Sequence, residues 1–212
     1  MNELLERFKQ AIIAGDADAS AGLAEEIRAA AEAKPDDIFE YLSAAMDVVG
    51  GKYETGEYFI PEMLRSAEAV EKAMAVLEPY MFEHKHEQSG VVVMGTVKGD
   101  IHNIGKNIIV SALRADGYEV HDLGVNVSTD KFIDKIREVE PDLLMLSAFT
   151  TSTKPALIDI IRRLEEEGLR DRVKVISGGA SHSAELAREV GVDGFASDVK
   201  SSLAVTRRLM GR

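Results

Sequence analysis

Four helices followed by a doubly wound sheet of five parallel strands is the α/β architecture this chain predicts. Three observations carry it: apolar residues recur at helical spacing through residues 1 to about 85, strand-like and helix-like segments alternate after residue 90, and the composition turns polar between the two regimes. The first helix carries the stripe Leu4, Leu5, Phe8 and Ile12 and ends at Gly15-Asp16. Ala19, Leu23, Ile27 and Ala30 mark the second, which stops before Lys34-Pro35. Asp36-Asp37 opens the third, which runs through Ile38, Tyr41, Leu42, Ala45 and Val49 until Gly50-Gly51 is expected to stop it. The fourth begins near Pro61, tolerated in a first turn, and runs through Met63, Leu64, Ala67, Val70, Met74 and Leu77. Short turns between such helices make a small bundle.

The polar stretch Glu83-His84-Lys85-His86-Glu87-Gln88-Ser89-Gly90 marks a boundary, giving a helical domain over 1–88 and an α/β domain over 89–212. In the second, strands are expected at 91–96, 118–123, 142–147, 173–177 and 193–196, and helices at about 104–116, 129–139, 154–167, 183–190 and 199–210. Runs such as Leu143-Leu144-Met145-Leu146 have the unbroken apolar character of strands covered on both faces. Five such βα units is the count of a flavodoxin-like domain.

Composition removes several function classes. A net charge of −12 argues against a nucleic-acid or anionic-membrane surface, and the basic pairs Arg162-Arg163 and Arg207-Arg208 read as solvated helix ends. With no cysteine there is no disulfide, thiolate metal site or iron–sulfur cluster. No run of about 18 apolar residues exists, and Met1-Asn2-Glu3-Leu4-Leu5-Glu6 lacks the pattern of a signal peptide, so a cytoplasmic protein is expected.

Ligands of open α/β sheets sit at the carboxyl ends of strands, which draws attention to three loops. After the first strand comes Gly99-Asp100-Ile101-His102-Asn103-Ile104-Gly105, with an imidazole at the turn and an Asp two residues earlier to orient it. After the third comes Ser147-Ala148-Phe149-Thr150-Thr151, and after the fourth Ser177-Gly178-Gly179-Ala180, where missing side chains let backbone approach a bulky ligand. A P-loop is not supported, because five residues separate Gly99 from Gly105 and Asn107 follows Lys106. Ser147 stands where a phospho-receiver domain would want an Asp. His84-x-His86 reads as a solvated linker pair and His121 as structural or edge-exposed.

Together, Asp100-x-His102-x-x-Gly105, Ser147-x-Phe149 and Gly178-Gly179 resemble the three-part pattern of the cobalamin-binding domains found in methionine synthase and in the corrinoid proteins of methylamine, methanol and methoxyaromatic methyltransferase systems. The family often has Ser-x-Leu where this chain has Ser147-Ala148-Phe149. The resemblance implies cobalamin bound base-off, with His102 as the lower cobalt ligand and Asp100, Ile101, Asn103, Ile104, Gly105, Ser147, Phe149, Thr151, Gly178 and Gly179 around the cofactor. It implies Asp100 and Ser147 as partners that adjust the imidazole, and His182 as a residue that could line the cofactor tail. The segment from Gly51 to Leu64 resembles the family's helical cap, which makes Tyr53 and Ile60 the residues shielding the methyl group.

The implied function is a methyl carrier that shuttles between a substrate-specific methyltransferase and a second methyltransferase passing the methyl group to a pterin or thiol, with a reductive activator as a further partner. No separate acid–base pair for activating a substrate is evident, so a non-catalytic subunit is expected. Two other readings remain open at this level: a flavodoxin-like flavin-binding redox carrier and a cobalamin sensor.

Overall fold

The computed structural model describes residues 1–82, 89–179 and 183–211. By its internal contacts the chain divides into two units, Met1–Lys85 and His86–Arg212. The linker pair His84 and His86, and the boundary expected at residue 88, lie outside the described residues, as does His182.

In the first unit four helices form, α1 (Asn2–Ile13), α2 (Ala17–Ala30), α3 (Pro35–Glu54) and α4 (Ile60–Phe82). Asp16 starts α2 by accepting the Ala19 N–H, and Pro35 opens α3 where its missing N–H costs nothing. The core is built from Leu5, Phe8 and Ile12 of α1, Leu23 and Ile27 of α2, Ile38, Leu42 and Val49 of α3, and Val70 and Leu77 of α4. Tyr80 closes one end by donating to the Ala33 carbonyl at 3.0 Å.

Three expectations fail here. Gly50-Gly51 does not stop α3, which continues to Glu54. Each glycine is about 1 kcal/mol less favourable than alanine in a helix, but the end of α3 is closed beyond them. The Thr55 hydroxyl donates to the carbonyls of Gly51 and Lys52, and the N–H groups of Glu57 and Tyr58 both bond the Lys52 carbonyl. Leu64, placed in the apolar stripe of α4, is 64% exposed. Six residues before buried Val70, it is rotated about 120° from the buried face, while Met63 lies on it. Ala30, last residue of α2, is also exposed, and Ala33 is buried in the following turn.

The second unit alternates strands and helices: β1 (Val91–Thr96), α5 (Ile104–Ala115), β2 (Glu119–Asp122), α6 (Thr129–Val139), β3 (Leu143–Ser147), α7 (Lys154–Glu166), β4 (Lys174–Gly178), α8 (Ala184–Val190), β5 (Gly194–Ala196) and α9 (Val199–Leu209). Every neighbouring pair is parallel, in the order β2-β1-β3-β4-β5. This is the flavodoxin-like order, and the chain reverses direction across the sheet between β1 and β3, the switch point at which open α/β sheets bind their ligands. Val93, Leu144, Leu146 and Val175 pack with Phe132, Ile133, Leu157 and Ile160 in one continuous core that holds the strand ends rigid. Among the described residues, no helix is long and apolar enough to cross a membrane.

Helix α9 begins with a capping box: Asp198 accepts the Ser201 N–H at 2.7 Å, and the Ser201 hydroxyl accepts the Asp198 N–H at 3.1 Å. Burial alone would raise the Asp198 carboxyl, but the Ser201 N–H and the Ser197 and Ser201 hydroxyls outweigh it and hold the group below its ordinary range. Asp198→Ala should therefore lose about 0.5–2 kcal/mol of stability in urea unfolding at neutral pH. A lowered native value means that the stabilisation is present above the unfolded value and fades as pH falls through the native one. The gap between wild type and variant should narrow below about pH 4; a gap independent of pH would rule out the ionised cap.

Candidate functional site

The ends of β1 and β3 are stitched together by one carboxylate. Strand β1 runs on past Thr96 through an isolated bridge between Val97 and Val127, and the Val97 N–H donates to the Ser147 carbonyl at 3.0 Å. The chain then turns at Gly99, which carries a φ of 88°, and delivers Asp100 into the protein at 2% exposure. Oδ1 of Asp100 accepts the His102 N–H at 2.9 Å and lies 2.6 Å from His102 Nδ1, while Oδ2 accepts the Phe149 N–H at 2.5 Å. Burial pushes the Asp100 carboxyl up, and the two backbone donors with the imidazole more than reverse this, so it lies below its ordinary range and is ionised at neutral pH.

An ionised partner on Nδ1 makes that nitrogen the protonated one and turns the lone pair of the neutral ring to Nε2. The His102 side chain is 53% exposed, and its carbonyl accepts the Thr96 hydroxyl at 3.0 Å. The Phe149 ring stacks on the imidazole with centroids 4.2 Å apart and planes at 25°. Ile101 and Phe149 are both exposed beside it, at 74% and 41%. Asn103 and Gly105 are exposed and Ile104 half-buried at the start of α5.

Behind this pair the glycines of β4 fix the β3 loop. The Ala148 N–H donates to the Gly178 carbonyl at 2.8 Å. A methyl group on Gly178 would sit 2.3 Å from the Ala196 carbonyl, and one on Gly179, whose φ is 139°, 2.0 Å from the Ala148 carbonyl. The glycine pair thus permits close approach of protein backbone within the sheet. Ser147 is half-buried, and among the described residues no hydrogen bond joins its hydroxyl to Asp100 or His102. Thr151 opens a short 3-10 turn before α7, and its side chain lies outside the described residues. Tyr53 and Ile60, in the other unit, are exposed at 45% and 61%. His121 lies on edge strand β2 with its Nε2 3.0 Å from Glu119.

Sequence reasoning missed two supports of this site. Asn126 adopts a left-handed φ of 52°, accepts the Gly99 N–H through its side chain at 2.9 Å, and donates its own N–H to the Asp100 carbonyl at 2.9 Å. Asn tolerates that conformation, and Gly124-Val125-Asn126 was the available signal. The other is Lys106, whose side chain is 1% exposed and whose ammonium bonds Asp122 at 2.5 Å and Asn107 at 2.8 Å, pinning the first turn of α5 to the end of β2. Removing one partner of a buried pair strands the other. Asp122→Ala leaves the Lys106 charge buried and should lose about 3–5 kcal/mol in urea unfolding. Lys106→Met should lose less, because the Asp122 side chain, 26% exposed, can rehydrate. The opposite ranking would refute that asymmetry.

Comparison with known proteins places the chain in a family. Residues 90–204 match the B12 binding domain family, and residues 4–78 match a second B12 binding domain family. The chain is 38% identical over 210 residues to dimethylamine corrinoid protein 1 of Methanosarcina acetivorans, covering 98% of each chain. It is similar to the structure of the monomethylamine corrinoid protein of Methanosarcina barkeri, with a TM-score of 0.87, 32% identity, and coverage of 98% of this chain and 99% of that one. The methanol:cobalamin methyltransferase complex from Methanosarcina barkeri also contains a similar chain, with a TM-score of 0.54, 26% identity, and coverage of 100% of this chain and 81% of that one. The exposed imidazole at the switch point, its buried carboxylate and these matches across both units lead to one assignment: the protein belongs to the B12-binding family, as a corrinoid protein related to the methylamine and methanol corrinoid proteins of methyltransferase systems.

Proposed function

We propose that the protein holds its corrinoid base-off through His102 and carries a methyl group on it from a substrate-specific methyltransferase to a second methyltransferase whose acceptor is a pterin or a thiol. Membership of the family implies partner methyltransferases, and relatives named as corrinoid proteins support a carrier rather than a catalyst. Relatives named for dimethylamine and monomethylamine support a methylated amine as the donor handled by the first partner. A reductive activator completes the proposed set.

The residues present fit the cofactor. Among the described residues no group of three or more His, Asp or Glu side chains comes together to hold a bare metal ion, so a metal ligated by His102 needs its remaining ligands from elsewhere, as a corrin ring supplies. The Ser177 hydroxyl, fully buried at the end of β4, has no hydrogen-bond partner among the described residues, and a polar cofactor tail would satisfy it. When bound, the cobalt supplies the acceptor and donor chemistry of methyl transfer.

The protein's own residues supply position and shelter. Asp100 retains the proton on Nδ1 of His102, which leaves the Nε2 lone pair directed outward for ligation. Ile101 and Phe149 offer apolar surface beside it for a macrocycle to rest on. Tyr53 and Ile60, exposed on the helical unit, supply apolar surface of the kind that keeps water from a reactive methyl group. The observation that carries the reading is the Asp100–His102 pair at the switch point of the sheet, with one imidazole nitrogen held and the other presented.

Ultraviolet–visible spectra of the full chain loaded with methylcobalamin test it, wild type beside His102→Ala. Wild type should retain the cofactor with a His-ligated spectrum that the variant lacks. A spectrum unchanged by the substitution would remove His102 from the cobalt, and a folded wild type that retains no cobalamin would end the carrier reading.

A further inference from the structure

We propose that Phe149 is a positioning residue for His102, its ring holding the imidazole plane in the orientation that ligates cobalt. The inference deepens the reading of His102 as the lower ligand and rests on it. Two contacts tie Phe149 to that imidazole through different parts of the residue. Its N–H bonds Oδ2 of the Asp100 carboxylate whose Oδ1 holds His102 Nδ1, and its ring lies against the imidazole face at a centroid distance of 4.2 Å.

The Asp100 contact alone does not fix the ring. It restrains one nitrogen, and a side chain that is 53% exposed retains freedom to tilt about that point. A flat aromatic partner removes the tilt, because sliding or rotating out of the stack forfeits the ring contact. Stacking and ligation do not compete, since the phenyl covers the face of the imidazole whereas the Nε2 lone pair lies in its plane. With Nδ1 held and the plane held, the direction of that lone pair is set before any cofactor arrives, and less rotamer freedom remains to be lost on ligation.

The phenyl ring is itself on a fixed mount. The Ala148 N–H is bonded to the Gly178 carbonyl, the backbone of Gly179 abuts the Ala148 carbonyl, and the next N–H along, that of Phe149, is bonded to Asp100. The ring is thus carried by backbone clamped on both sides, from β4 and from the β1 loop. A leucine on the same backbone would keep the N–H bond to Asp100 and lose the planar contact, so the position can change the imidazole's freedom without dismantling the site.

Phe149→Leu and Phe149→Tyr in the full chain test this, with His102→Ala alongside. In the cobalamin-free protein, the His102 ring protons should show an upfield ring-current shift by NMR in wild type and Phe149→Tyr, and lose it in Phe149→Leu. With methylcobalamin bound, the ratio of His-ligated to unligated cofactor, read from the visible spectrum, should fall about 2- to 10-fold in Phe149→Leu, the loss expected for one aromatic pair. It should stay near the wild-type ratio in Phe149→Tyr. An unchanged ratio in Phe149→Leu despite loss of the NMR shift would overturn the proposal, as would absence of the shift in wild type. Failure of the underlying reading looks different: His102→Ala would then share the wild-type visible spectrum.

Discussion

The site depends on the buried carboxylate of Asp100. A charge at 2% exposure persists only if its lone pairs are met, and here the donors come from two loops: the N–H and Nδ1 of His102, and the N–H of Phe149. One ion therefore joins the end of β1 to the end of β3 and holds one nitrogen of the imidazole in the same act. The rest of the domain is arranged so that this can occur. Asn126 bonds the loop on either side of the ion, Lys106 and Asp122 tether the helix that follows, and the glycine pair admits the Ala196 carbonyl of β5 against Gly178 and the Ala148 carbonyl of the β3 loop against Gly179, where no Cβ would fit.

The division of labour follows from what is and is not present around that carboxylate. The cofactor brings the reactive atom, and around that carboxylate the protein presents an exposed imidazole with the exposed apolar side chains of Ile101 and Phe149. Membership of the family implies partner methyltransferases of the kind that methyl-transfer systems use. The ionised Asp100 also holds Nδ1 of His102, so that Nε2 is the imidazole nitrogen it does not engage.

Much of this was legible in the sequence because its signals are local. Asp100-x-His102 places carboxylate and ring two residues apart, close enough for spacing alone to suggest the contact, and the alternation after residue 90 suffices to give five parallel strands. What was hidden is long-range or cooperative. Phe149 lies far along the chain from His102, so nothing in either segment announces the stack; Lys106 reads as the polar first turn of a helix, although it is buried against Asp122. Gly50-Gly51 misled because the bonds that close α3 come from residues after the pair, and Leu64 because an apolar residue near a stripe is not on it unless the angle agrees.

The sheet ends on either side in very short strands. β2 has four residues, two of them the paired Glu119 and His121, and β5 has three. A rim that brief offers a passing extended chain too few amide groups to zip onto, and a charged pair on one rim discourages it further. A net charge of −12 adds a repulsion between copies of the chain. Pairing of one sheet rim with another, which would compete with any surface a methyl carrier offers to a partner, is thereby disfavoured.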